Sequence, residues 1–293
     1  MTALFADGFE ATRVPAGGAD FYVRRGGPSS GPYALLLHGH TQSGAIWRGL
    51  APRLAAAGYD VIVPDLQGTG RSSIPAQGYA KRAQAEGLHA MSAALRGRAG
   101  QGVVVGHDLG AMIAYAFAAS DRRAVTQLVM MEATVPGLGI WDDLLRDVRA
   151  CWHFGFVGPF AEALIAGREA IYLERFWTEF AGPDGSGIGP ADKADYVAAY
   201  VRPGGVRGAL AQFDAFDEDT RDNVRLARER LACPALGIGG GASFGPLVGE
   251  HVALLSSRPA TAVIEGAGHW LLDERPDTTA DAVVSFLRDE SEA

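Results

Sequence analysis

"VVVGHDLGAMIAYAFAA", residues 103–119, decides how the rest of the chain is read. The apolar run Val103–Val105 ends at Gly106, and a second glycine, Gly110, opens a stretch of good helix formers. This is the pattern of a buried strand entering a sharp turn and leaving as a helix. Small residues on both sides let turn and helix approach closely and leave room for a strained central residue. Such a turn exposes its central side chain at the end of a sheet, and here that residue is Asp108.

Outward from this turn, the chain alternates short apolar runs with helical patterns. Residues 33–39 (YALLLHG), 59–65 (YDVIVPD) and 125–133 (VTQLVMMEA) read as buried strands. Helices are expected at AIWRGLAPRLAAAG, with Gly58 as C-cap, and at 78–100. Strand character returns at 233–241 (CPALGIGGG) and 260–268 (ATAVIEGAG), and the helix TTADAVVSFLRDE closes the pattern. Such alternation predicts a mostly parallel central sheet with helices on both faces. Residues 137–216 break the rhythm. They are helical and rich in Trp and Phe, with a Gly/Pro/Asp-rich loop, AGPDGSGIGPAD. We therefore expect one α/β core, residues 1–136 and 217–293, carrying a helical cap at 137–216.

Composition narrows the function. The chain has 293 residues, 48% of them hydrophobic, and a net charge of −8. That balance argues against nucleic acid and anionic membranes as partners. The start MTALFADGFEATRV lacks the basic-then-apolar order of a signal peptide, and no apolar run is long enough to span a bilayer. A cytoplasmic setting is expected. Cys151 and Cys233 make neither metal-ligand spacing nor a disulfide framework. GTGRSS (68–73) has too few glycines at the required spacing for a nucleotide loop, so neither metal nor organic cofactor is expected.

Two further stretches fit Asp108. LLLHGHTQSGAIW follows an early strand, and the backbone N–H groups of His40 and Leu109 can converge on one anionic oxygen. EGAGHWLLDERP presents His269 in a Gly-rich loop directly after a strand, where a catalytic base sits after its nucleophile in chain order.

With HGHTQSGAIW, VPDLQGTGRSS, GHDLGAMIAYAFA, MEATVPG, WHFGF, LIAGREAIYLERF and GHWLLDERP, the chain resembles the α/β-hydrolases with an aspartate nucleophile, particularly the epoxide hydrolases. The likeness spans nearly the whole chain and is strongest to a branch with WHF at the cap entrance; Thr41 stands where most members have proline. It implies that Asp108 attacks an epoxide carbon and that water activated by His269 hydrolyses the resulting ester. The loop after ALGIGGG, a common place for the triad acid, has no Asp or Glu in ASFGPLVG, and Glu250 comes late. Glu132, ending the strand after the nucleophile helix, is the expected acid. Asp273 and Glu274 are expected to cap or face solvent.

The family also uses two cap residues to protonate the leaving oxygen. His153 fits the first position. The second, commonly tyrosine, falls near GALAQFDAFDED at Phe213 or Gln212, neither a tyrosine. His153 then acts alone, or Tyr196 or Tyr200 substitutes. Trp152, Phe213, Trp177 and Tyr200 are expected to contact a small apolar substrate, aromatic and polycyclic epoxides included. The competing readings are a dehalogenase using the same aspartate, a related biosynthetic enzyme, and a non-catalytic binder. LGAMIAY lacks the arginines of fluoroacetate-acting dehalogenases, and Leu109 stands where haloalkane members usually carry a halide-binding tryptophan. A homodimer is compatible with all of these.

Overall fold

In the computed structural model, residues 8–97 and 100–292 are described. The signal-peptide expectation rests largely on residues 1–7, and the end of the helix expected at 78–100 includes 98–99; both lie outside the described residues.

The core begins with β1 (Phe9–Ala16), β2 (Ala19–Gly26), β3 (Tyr33–Leu37), α1 (Ala51–Ala56), β4 (Asp60–Pro64), α2 (Lys81–Arg96), β5 (Gly102–His107), α3 (Leu109–Ser120) and β6 (Val125–Met131). It resumes with β7 (Leu231–Gly240), α10 (Leu247–Leu255), β8 (Ser256–Ile264), α11 (Leu271–Glu274) and α12 (Pro276–Glu292). The strands form one sheet in the order β1-β2-β4-β3-β5-β6-β7-β8. From β4 to β8 neighbours are parallel, whereas β2 pairs antiparallel with both β1 and β4. The β1–β2 hairpin was not read from the sequence. Its burial pattern is half polar, without the continuous apolar runs that gave away β3 to β5.

Alternate side chains serve the two faces of the sheet. Ala34, Leu36, Val103 and Val105 pack with Leu54 of α1 and Val283 and Leu287 of α12. Leu35, Leu37 and Val104 face Leu88 of α2 and Ile113 and Phe117 of α3. This is the period of two that a doubly covered sheet requires. Helix α3 is buried all round from Leu109 to Ala119, which suits an interior helix. A buried Ile113 or Phe117 side chain is worth about 1.5–3 kcal/mol. The expected helix before Gly58 divides into a 3₁₀ turn, Gly44–Arg48, and α1, because Pro52 suits the first turn of a new helix.

Between β6 and β7 lie α4 (Trp141–Leu144), a 3₁₀ turn (Trp152–Phe154), α5 (Gly158–Ile165), α6 (Glu169–Glu179), α7 (Pro190–Val201), α8 (Gly205–Asp214) and α9 (Phe216–Leu226). Helix α9 returns to pack on α2 and α3. There the Asn223 side chain donates to the Pro136 carbonyl (3.1 Å), so the two ends of the excursion meet.

Candidate active site

Asp108 stands between β5 and α3 with φ 53° and ψ −124°. A non-glycine residue in that region costs about 1–3 kcal/mol and needs support from its surroundings. The support is visible: its N–H donates to Met131 O (2.9 Å). A Cβ on Gly39 would come within 2.3 Å of Asp108 Oδ1, so only glycine fits beside the carboxylate. Oδ1 accepts the His40 N–H at 2.6 Å, and the Leu109 N–H also favours the ionised form. Oδ2 lies 3.8 Å from His269 Nε2. Burial pushes the Asp108 pKa up against these influences and that of Lys81, as expected for a poorly solvated carboxylate. It is not sealed in a salt bridge with Lys or Arg: 19% of the side chain stays accessible, beside the cavity.

Glu132, also at φ 53°, directly follows β6 and is wholly buried. Its Oε1 accepts the Gly240 N–H (2.6 Å). Its Oε2 accepts the Ser243 hydroxyl (2.6 Å) and His269 Nδ1–H (3.1 Å). Burial is the strongest influence on His269 and disfavours its charge. The Glu132 hydrogen bond and the charges of Asp108 and Glu132 together outweigh it, leaving the imidazole pKa raised. The His269 backbone is clamped as well: its N–H donates to Phe180 O and its carbonyl accepts from His107 Nε2, both at 2.8 Å.

Sequence reading missed several supporting groups. Ser243 lies in the loop dismissed for lacking an acid, yet from that loop it holds the acid's second oxygen. Asp273 and Glu274 do not face solvent. Asp273 is paired with Arg48 (2.7 Å) and Gln42 (2.8 Å), and burial raises it to about 6. Glu274 accepts the backbone N–H groups of Gly268 (2.7 Å), Gly182 (3.0 Å) and Trp270 (3.1 Å).

A cavity of ≈ 110 Å³ lies over Asp108, lined by Glu132, His269, His40, His153, Phe154, Phe176, Phe180, Trp141 and Phe244 among others. Among the described residues, no lysine or arginine lines it. His153 sits in the 3₁₀ turn, edge-on to Phe176 (5.0 Å) and Phe213 (5.2 Å) and parallel to the His40 ring (6.2 Å, 9°). Burial, then the positive side of His269, pushes it down to about 3, so it is a neutral imidazole.

The four expected substrate contacts fall outside this cavity lining. Trp177 turns its indole N–H onto Thr41 Oγ1 (2.7 Å), tying α6 to the His40 loop. Trp152 lies behind His153 against Phe156 and Phe176, under the Arg175 guanidinium. Phe213 packs behind the His40 and His153 rings. Tyr200 reaches His40 Nδ1 (3.1 Å) instead of open space. As for the other candidate donors, Tyr196 is buried beside Arg48, Asp192 and Asp273, and Gln212 is occupied by Gln84 and the Gln67 carbonyl. Neither lines the cavity.

A family model described as the α/β-hydrolase fold matches residues 35–276. The soluble epoxide hydrolase of Corynebacterium sp. (strain C12) is 31% identical over 272 residues, covering 91% of this chain and 92% of the relative. The fluoroacetate dehalogenase of a Burkholderia sp. is 29% identical, covering 97% and 95%. The crystal structure of Cfl2 from Burkholderia cenocepacia superposes with a TM-score of 0.84 at 29% identity, covering 95% and 96%.

Proposed function

We propose that this chain, which belongs to the α/β-hydrolase fold family, hydrolyses epoxides through an alkyl ester on Asp108. One observation carries the reading. The Asp108 carboxylate has Oδ1 on the His40 N–H and Oδ2 beside His269 Nε2, with the Leu109 N–H also favouring its charge, at the floor of a cavity that no lysine or arginine lines among the described residues.

The chemistry follows from that placement. An aligned, desolvated carboxylate attacks a strained carbon well, and the C–O bond of the epoxide breaks as the ester forms. Neutral His153 offers an N–H toward the leaving oxygen. His269, its Nδ1–H oriented by Glu132, then takes a proton from water, which adds to the acyl carbon of the ester. The negative oxygen of that intermediate is Oδ1, already held by the His40 N–H, and the Leu109 N–H also favours negative charge on this carboxyl group. Residues 137–216 act as the cap that closes the cavity.

The enclosed volume, ≈ 110 Å³, is smaller than the roughly 150 Å³ cavity that holds benzene. It fits a small aliphatic epoxide. The polycyclic end of the expected range does not fit the cavity as it stands.

The dehalogenase reading finds less support. A haloacid needs a cation for its carboxylate, and no lysine or arginine lines the cavity among the described residues. The Trp177 indole, one candidate halide donor, is already committed to Thr41. The test is a panel of small epoxides with diol detection, alongside haloalkanes and fluoroacetate with halide detection. Diol formation that disappears in Asp108→Asn supports the proposal. Halide release without diol favours the dehalogenase, and binding without turnover favours a binder.

A further inference from the structure

Resting on the epoxide reading, we propose that His107 is the positioning residue of the base: its ring, next to Asp108 in the chain, holds the backbone of His269. That base has a long way to come. It follows β8, which lies three strand intervals from β5 in the sheet. At about 4.8 Å per interval, β8 is roughly 14 Å from the strand that carries Asp108. The loop bridges this gap over the end of β7, where a Cβ on Gly240 would lie 2.2 Å from Gly268 O. Its approach, EGAG (265–268), contains two glycines, so local preference does little to fix the path. Ties to the rest of the molecule must do so.

Two such ties hold the His269 backbone. Its N–H donates to Phe180 O in the 137–216 region (2.8 Å), and its carbonyl accepts from His107 Nε2 (2.8 Å). Only the second comes from β5, so it sets the base relative to Asp108. His107 is buried, and its ring lies 4.8 Å from that of His269 at 51°. A carbonyl oxygen only accepts, so the His107 proton resides on Nε2. Nδ1 is then the bare nitrogen, and it has no hydrogen-bond partner among the described residues that would draw the proton away. Burial, then the positive side of His269, holds His107 well below the ordinary histidine range. The tie therefore stays in one form near neutrality and adds no charge beside the imidazolium that forms on His269.

The consequence falls on one step. Alkylation of Asp108 needs the carboxylate and an aligned substrate. Ester hydrolysis also needs His269 Nε2, 3.8 Å from Asp108 Oδ2, to reach a water at the acyl carbon. A displacement of about 1 Å in a reacting group costs on the order of 10²-fold. Losing the tie slows hydrolysis and leaves alkylation nearly intact.

The test separates the two steps. Each protein is mixed with excess propylene oxide, ester on Asp108 is followed by rapid quench and intact mass, and diol is measured in parallel. His269→Gln, with hydrolysis blocked, gives the reference rate of alkylation. His107→Phe keeps a buried ring but loses the donor. Ester should appear on it within a few-fold of the reference rate and then hydrolyse on the order of 10²-fold more slowly than in the wild type. His107→Gln, whose amide can donate in place of Nε2–H, should return hydrolysis to within a few-fold of wild type. Thermal melting checks that each variant folds. A nitrogen NMR spectrum of histidine-labelled wild-type protein adds a measurement that needs no folded variant: the His107 ring should be neutral, with its proton on Nε2. Unchanged hydrolysis in His107→Phe, equal slowing of both steps, no rescue by His107→Gln, or a proton on Nδ1 overturns the positioning role alone. Absence of ester in His269→Gln overturns the epoxide reading itself.

Discussion

The floor and the roof of the cavity each hold a histidine, and their surroundings shift the two in opposite directions. On the floor, His269 lies between two carboxylates, Glu132 at 3.1 Å and Asp108 at 3.8 Å, and its pKa is raised. In the roof, His153 is walled by aromatic rings and is pushed down to about 3. Both are buried, and burial alone would neutralise both. What differs is whether anionic partners compensate it. The floor can hold an imidazolium between steps, whereas the roof offers only a neutral N–H.

The sharpest way to break this contrast is to remove the floor's proposed nucleophile. Asp108→Asn should lower epoxide turnover by at least about 10⁴-fold, measured as kcat/KM for diol formation with thermal stability unimpaired. Next in size is Glu132→Gln, expected to cost about 10²–10⁴-fold in ester hydrolysis, because an amide oxygen orients the imidazole but cannot balance its charge. The pH profile sharpens the point. His269 must be neutral to accept a proton, so ester hydrolysis rises with pH through its pKa. With that pKa raised, the acid limb lies above 6.5, and Glu132→Gln moves it downward.

Removing the roof histidine should have a smaller effect with a different signature. His153→Phe is expected to slow ester formation about 10²-fold while leaving the acid limb in place. A group that is neutral from about pH 3 upward adds no inflection near neutrality. A shifted limb in His153→Phe would contradict the division between floor and roof. The smallest expected effect on turnover is at Trp177. Trp177→Phe loses the bond to Thr41 and should cost about 1–3 kcal/mol in urea unfolding, with kcat/KM changed only a few-fold.

The floor was more legible in the sequence than the roof, and the reason is physical. Asp108 sits on a strained turn that demands small neighbours, and those demands are written locally in GHDLG. His269 announces itself by its position after a strand. The structure brings both to Glu132, at the distances given above. Roof contacts depend on how one helix is rotated against another, which no short motif encodes. Trp152 and Trp177 thus read as substrate contacts yet face away from the cavity, and Tyr200 was named without its partner His40. Of the two fates expected of Asp273 and Glu274, capping or facing solvent, solvent exposure fails for a related cause. Charged residues after a histidine loop usually meet water, but here Arg48 and three backbone N–H groups make burial affordable.

The Glu274 carboxylate has a consequence for how substrate arrives. It bridges Gly182 at the end of the roof to Gly268 beside His269, and Phe180 O holds the His269 N–H. A Cβ on Gly268 would lie 2.4 Å from Gly182 N, so the two backbones run in contact. Prising the roof up along this seam would unseat His269, so we expect traffic where Leu144, Ala150 and Cys151 border the cavity, a rim that takes no part in the seam. Efforts to widen the range of molecules admitted should therefore carve that rim and leave the glycine seam intact.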